Sequence, residues 1–307
     1  MTDLDIDLIK SLCNVFAPSG NEKAMKDFLI DYVQQHQSQW KTTPEIIYGD
    51  DFQDCVILKF GTPRTAVFAH IDSIGFTVRY ENQLIPIGGP EAEVGFELVG
   101  EDNMGPIECK LKVEEGHLFY DFGRGIQSGT DLVFKSDFRD SEEYIQSAYL
   151  DNRLGVFNVL KVAETLKDGV IVFSCLEEHG GGTVPFLSKY IYEQYNIRQA
   201  LVSDITWVTE GVTHGSGVAI SRRDMSIPRK EYVDKIITLA EESGVDYQIE
   251  VERHGGSDGR EIQQSPYPID WCFVGAPEDH VHSPNEKVHK NDIASMVKLY
   301  QFLMKKL

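Results

Sequence analysis

Five short acidic or histidine motifs, each set after a run that reads as a buried β-strand, constrain this chain more than any other feature. They are His70-Ile71-Asp72, Asp151-Asn152-Arg153, Glu177-Glu178, Asp204 and His282-Ser283. In an open α/β sheet the carboxyl ends of the strands share one edge, so ligands scattered along the chain converge in one crevice. Two imidazoles and several carboxylates meeting there suit a two-metal hydrolytic site. Each motif alone has a plainer explanation. Asp151 reads as a helix N-cap, Glu177-Glu178 as a solvated pair, and His70 as a hydrogen-bonded histidine. Together they favour the metal reading, because carboxylates crowded into one crevice carry unpaired charge that cations relieve.

The runs between the motifs define the architecture. Ser19 and Glu22 stand in capping-box register, and Met25, Phe28, Leu29, Tyr32 and Val33 follow at helical spacing. Cys55 to Phe60 and Thr65 to His70 read as neighbouring core strands separated by Gly61 and Pro63. Between residues 74 and 146 the period changes to two, as in Phe76, Val78, Tyr80 and in Ile107, Cys109, Leu111, Val113, and Gly-Pro turns interrupt it. After Asp151 helical and apolar runs alternate again, from Val170 to Cys175 through Ala200 to Ser203 and Ile269 to Val274 to a last helix over Ile293 to Leu303. The expected fold is α/β, with a mostly parallel sheet covered by helices and a small inserted β domain. The expected division is a catalytic α/β domain over 1–73 and 147–307, with the inserted β domain at 74–146.

Charge excludes some partners. Against 29 Lys and Arg stand 49 Asp and Glu, a net charge of −20, which repels phosphate backbones and anionic lipid. Neither nucleic acid nor membrane is expected as a partner. No apolar run reaches the roughly 18 residues that span a bilayer. The acidic start, Met1 to Asp5, lacks a secretory signal's features, and five scattered cysteines form no C-x-x-C pair. That usage predicts reduced thiols and a cytoplasmic protein.

Several segments resemble the forty-second metallopeptidase family, the cytosolic glutamyl or deblocking aminopeptidases. They are Ala17 to Glu22, His70 to Phe76, Pro86 to Gly89, Leu150 to Arg153, Glu177-Glu178, Gly256 to Asp258 and His282 to Pro284, in order along nearly the whole chain. The resemblance implies a zinc-aminopeptidase-like fold and a metal-dependent aminopeptidase acting on peptides with a free N-terminus. It implies two divalent ions per subunit, zinc or cobalt. Asp151 would bridge them, His70 and Asp204 would complete one shell, and Glu178 and His282 the other. Glu177 would be the general base and Asp72 the partner that orients His70. Family members assemble as dimers and twelve-subunit shells, so a homo-oligomer, dimer or larger, is expected.

Some residues depart from that pattern or compete with it. His179-Gly-Gly-Gly-Thr183 replaces the family's Val-Gly-x-Arg-Gly, and the β region between Asp121 and Asp151 looks short. His280 competes with His282, since both face one way in an extended segment. His179 and His254 lie in glycine-rich loops beside the expected pocket, and Arg222, Arg223 and Arg229 could recognise acidic side chains. A serine esterase is the rival enzyme: Gly255-Gly-Ser257-Asp-Gly259 matches G-x-S-x-G, with Asp270 or Asp279 and His280 or His282 in triad order. The rival without turnover is a peptide-binding relative. The serine reading leaves Asp72, Asp151, Glu178 and Asp204 without a task.

Overall fold

The computed structural model describes residues 5–307; residues 1–4 of the acidic start lie outside it. Four parallel strands form the centre of the main sheet, in the order Gly169–Ser174, Ala66–His70, Gln199–Trp207 and Asp270–Asp279. The first two are buried at every position, as a strand covered on both faces requires. Helix Leu150–Ala163 packs on this centre together with Ile6–Cys13 and Lys290–Lys306, and Val184–Tyr195 pairs with Asp258–Gln264 against it. No helix among the described residues is long and apolar enough to cross a membrane.

The sheet is mixed rather than mostly parallel. Among the described residues four of its ten strand pairings are parallel and six are antiparallel. Strands Val56–Phe60 and Ala66–His70 are also not direct neighbours, because Gly169–Ser174 lies between them, antiparallel to one and parallel to the other. The cause is connection length. The turn at Gly61 to Pro63 is too short for a crossover helix, so the chain must reverse, and a later strand fills the gap.

Residues 75–134 contain a closed six-strand antiparallel barrel, ordered Gly75–Val78, Gln83–Ile87, His117–Asp121, Gly105–Glu114, Glu97–Asp102 and Asp131–Phe134. Closure leaves no unpaired edge. In Gly105–Glu114 the period of two is plain: Ile107, Cys109 and Leu111 point inward while Glu108 and Lys110 face solvent. These side chains join Phe76, Leu98, Leu132 and Phe134 in a core separate from that of the main sheet.

The barrel reaches the edge where the motifs gather through Gly88 and Gly89. A Cβ on Gly88, whose φ is +71°, would sit 2.9 Å from the Glu178 carbonyl oxygen, so this approach needs glycine. The expected capping box does not form. The Ser19 hydroxyl donates to Asp72 Oδ2 at 2.6 Å, and Glu22 Oε1 accepts from the amides of Gly20 and Leu176. Buried Asp72 outcompetes the helix for the hydroxyl, and Lys23–His36 begins without a side-chain cap.

Candidate metal centre

Because the central strands are parallel, their carboxyl ends deliver the motifs to one edge. His70 closes Ala66–His70, Asp204 lies in Gln199–Trp207, Glu177 and Glu178 follow Gly169–Ser174, and His282 follows Asp270–Asp279. Asp151 stands at the non-helical start of Leu150–Ala163 and lies between the two imidazoles. His70 Nε2 is 3.2 Å from Asp151 Oδ1, and His282 Nε2 is 3.4 Å from Asp151 Oδ2. Asp204 Oδ2 lies 3.5 Å from His70 Nε2, and Glu178 Oε2 lies 3.1 Å from His282 Nε2. Glu177 Oε2 is 3.9 Å from His70 Nε2.

Asp72 acts behind this group. Its Oδ1 is 3.4 Å from His70 Nδ1, and its two oxygens accept the amides of Glu177 and Glu178 at 3.1 and 3.0 Å. One buried carboxylate therefore sets both an imidazole and the backbone that presents two glutamates. The Asp151-Asn152-Arg153 motif is used at every position. Asn152 Nδ2 donates to the Ser203 carbonyl, tying the helix start to the strand that carries Asp204. Fully buried Arg153 donates from Nη1 to the carbonyl of Ile71 at 2.6 Å, holding the loop after His70.

Backbone strain surrounds the cluster. Tyr149, Leu176 and His282 have left-handed φ values of 69°, 66° and 66°. Such conformations cost about 1–3 kcal/mol each and persist where the surroundings over-determine them, as at functional sites.

Electrostatics describe an anionic cage that draws positive charge into it. Burial opposes protonation of His282, yet Asp151 and Glu178 beside it push its pKa up to about 12. His70 is likewise raised against its burial by Asp204, Asp151 and Asp72. Burial, reinforced by the Asp151 charge, lifts Glu178 to about 7, and burial raises Glu177 and Asp204. Glu178 Oε1 is buried without any hydrogen-bond partner, and Asp151 Oδ1 has only the His70 imidazole beside it. Orphaned buried anions are costly and call for a cation. One ligand atom each from His70, Asp151 and Glu178 lies within 4.8 Å of the others, and two imidazoles with three carboxylates suit zinc or cobalt.

The competing residues fall elsewhere. Ser257 Oγ donates to Asp204 Oδ2 at 2.6 Å instead of facing a histidine. Asp279 pairs with His214 and Lys287, and Asp270 with Arg229, so no triad is assembled. His282, not His280, reaches the carboxylates. His179 Nδ1 accepts the Gly88 amide, joining the glycine loop to the barrel. Glu286 was not visible as a site residue in the sequence. Its buried carboxylate accepts the amides of Asp151 and His282, both at 3.1 Å, and a lone glutamate in a short strand carries no pattern that marks it.

A cavity of about 340 Å³ opens on Asp151, Glu177, Glu178 and His282 and extends past Thr206 to Asp224 and Glu250. A model of the M42 glutamyl aminopeptidase family matches residues 122–299. A relative from Acetivibrio thermocellus is 25% identical, over 95% of this chain and 96% of its own length. Among solved structures, an aminopeptidase from the archaeon Desulfurococcus kamchatkensis is 22% identical with a TM-score of 0.86, covering 98% of this chain and 94% of that one. The TET1 peptidase of Pyrococcus horikoshii is 21% identical with a TM-score of 0.83, covering 98% and 99%. At these identities the two structures establish a shared fold.

Proposed function

The chain belongs to the M42 glutamyl aminopeptidase family, and from that premise we propose that His70, Asp151, Glu178, Asp204 and His282 hold two divalent cations, zinc or cobalt. The protein is a metal-dependent aminopeptidase, a hydrolase of the exopeptidase class. In this reading Asp151 would be shared by both cations, with His70 and Asp204 holding one and Glu178 and His282 the other. The observation that carries it is Asp151 with one oxygen toward each imidazole, beside the buried and unpartnered Glu178 Oε1.

When bound, the cations supply Lewis acidity to the scissile carbonyl and to water, whose pKa falls toward about 7 in favourable zinc sites. Glu177, lining the cavity without a place in either shell, takes the proton from the attacking water and returns it to the leaving amine. Asp72 holds His70 and the Glu177-Glu178 backbone in register for that exchange. The carboxylates around the cavity hold the free α-ammonium of a peptide, so substrates need an unblocked N-terminus.

The barrel belongs, in this reading, to an inserted domain over 74–146 that takes part in self-assembly into a dimer or larger oligomer. The Pyrococcus horikoshii TET1 peptidase is described as assembling into a tetrahedron or a large octahedral shell. Five buried free thiols suit a reducing cytoplasm. The direct test is elemental analysis with turnover. Two zinc or cobalt ions per chain are expected, together with loss of aminoacyl-arylamide cleavage on chelation, recovery on re-addition, and no cleavage of N-acetylated peptides. Chelator-resistant activity blocked by a serine-directed phosphonate would replace this reading with Ser257 chemistry.

A further inference from the structure

The cavity continues beyond the metal cluster to a second pair of buried acids, Glu250 and Asp224. Strand Tyr247–Val251 inverts the usual pattern. Ile249 and Val251 face outward while Glu250, the charged residue between them, is turned inward and only 3% exposed. Asp224 is 7% exposed. Among the described residues no Lys, Arg or His nitrogen lies within ion-pair distance of either carboxylate. The nearby arginines are engaged elsewhere: Arg222 with Asp234, Arg229 with Glu231 and Asp270, and Arg223 with the Asp224 backbone carbonyl. Arg260 and His254 also line the cavity, but as exposed side chains. Burial raises the pKa of both acids, and a cation entering the cavity relieves that cost.

Geometry relates these acids to the reacting end. Thr206 stands two residues after Asp204 on one strand, so the two side chains share a face about 7 Å apart. The Thr206 hydroxyl donates to Glu250 Oε1. Between the two ends the wall carries buried Phe273, on the same face as Asp204. A cavity that passes the Phe273 ring and ends at a buried anion fits a side chain that has an alkyl stem and a cationic tip.

We infer that Glu250, supported by Asp224 and oriented by Thr206, selects substrates whose N-terminal residue is basic, lysine or arginine. The inference rests on the metallo-aminopeptidase reading above and names the substrate class of that site. It runs against the glutamyl substrates of the family's description, which this cavity would repel.

The test is a panel of Lys, Arg, Leu and Glu arylamides with zinc- or cobalt-loaded enzyme. The expected kcat/KM for Lys exceeds that for Leu at least about tenfold and that for Glu about a hundredfold. Glu250→Gln, checked for folding by circular dichroism, lowers the Lys-to-Leu ratio at least about fivefold. Calorimetry supplies a readout without turnover: L-lysinamide binds more tightly than L-norleucinamide, which keeps the stem and lacks the ammonium. A wild-type preference for Glu or Leu, an unchanged ratio in folded Glu250→Gln, or equal binding of the two amides overturns the inference. If loaded enzyme cleaves no arylamide, the metallo-aminopeptidase reading fails, and calorimetry alone decides this one.

Discussion

The two ends of the cavity are built from the same side chains and differ in what accompanies them. At one end carboxylates of Asp151, Glu178 and Asp204 alternate with the imidazoles of His70 and His282, all within about 4 Å of a neighbour. At the other, Glu250 and Asp224 are equally buried, and among the described residues no imidazole or guanidinium is ion-paired with either carboxylate. A buried carboxylate has no chemistry of its own until its partner is known. Nitrogen ligands in the first group turn acids into a cation cage, whereas the Thr206 hydroxyl and the Phe273 ring in the second turn them into a terminus for an alkyl ammonium.

The contrast breaks most sharply at Glu177. Glu177→Gln keeps the size and removes the base, and kcat is expected to fall about 10²–10⁴-fold while elemental analysis still finds two ions; lost metal would make Glu177 a ligand instead. Asp72→Asn should weaken metal binding about 10–100-fold, read by chelator competition, since it loosens His70 and one of the two amide contacts. An affinity equal to wild type would confine Asp72 to the backbone.

A smaller effect concerns pH in chelated protein. His282 has a folded pKa pushed up to about 12 against an ordinary value of 6.5. The folded state then holds a proton that the unfolded chain releases, so this contribution is full below 6.5 and is lost as pH rises toward 12. The melting temperature of metal-free protein should therefore fall as pH rises from 7 to 10, and His282→Gln should flatten the slope. An identical slope in that variant would remove the imidazole from the account. Smallest is Thr206→Val, which deletes the hydroxyl on Glu250 and should lower the Lys-to-Leu ratio about two- to fivefold. No change would mean that Glu250 orients itself.

Legibility in the sequence followed interaction range. Central strands were visible as unbroken apolar runs, and the two-residue period in Gly105–Glu114 was visible because burial on one face writes itself into alternate positions. The Ser19-Glu22 pair misled for the same reason. Its spacing matches a cap, while the contact that wins comes from Asp72, 53 residues away. Strand direction was hidden too, since Gly61 to Pro63 marks a turn without saying which later strand enters the gap beside it.

By itself the sequence determined the residue types that meet at the sheet edge, because a run of buried strands has to end in polar groups and those groups here are histidines and acids. It also determined the absence of a long apolar span. Tertiary structure alone decided that Asp72 serves an imidazole and two amides together, that Glu286 braces Asp151 and His282, and that Glu250 faces inward without a cation. These are matters of which group stands opposite which. Pairings between residues far apart in the chain are set by packing, where the cost of an unmet buried charge is resolved in space.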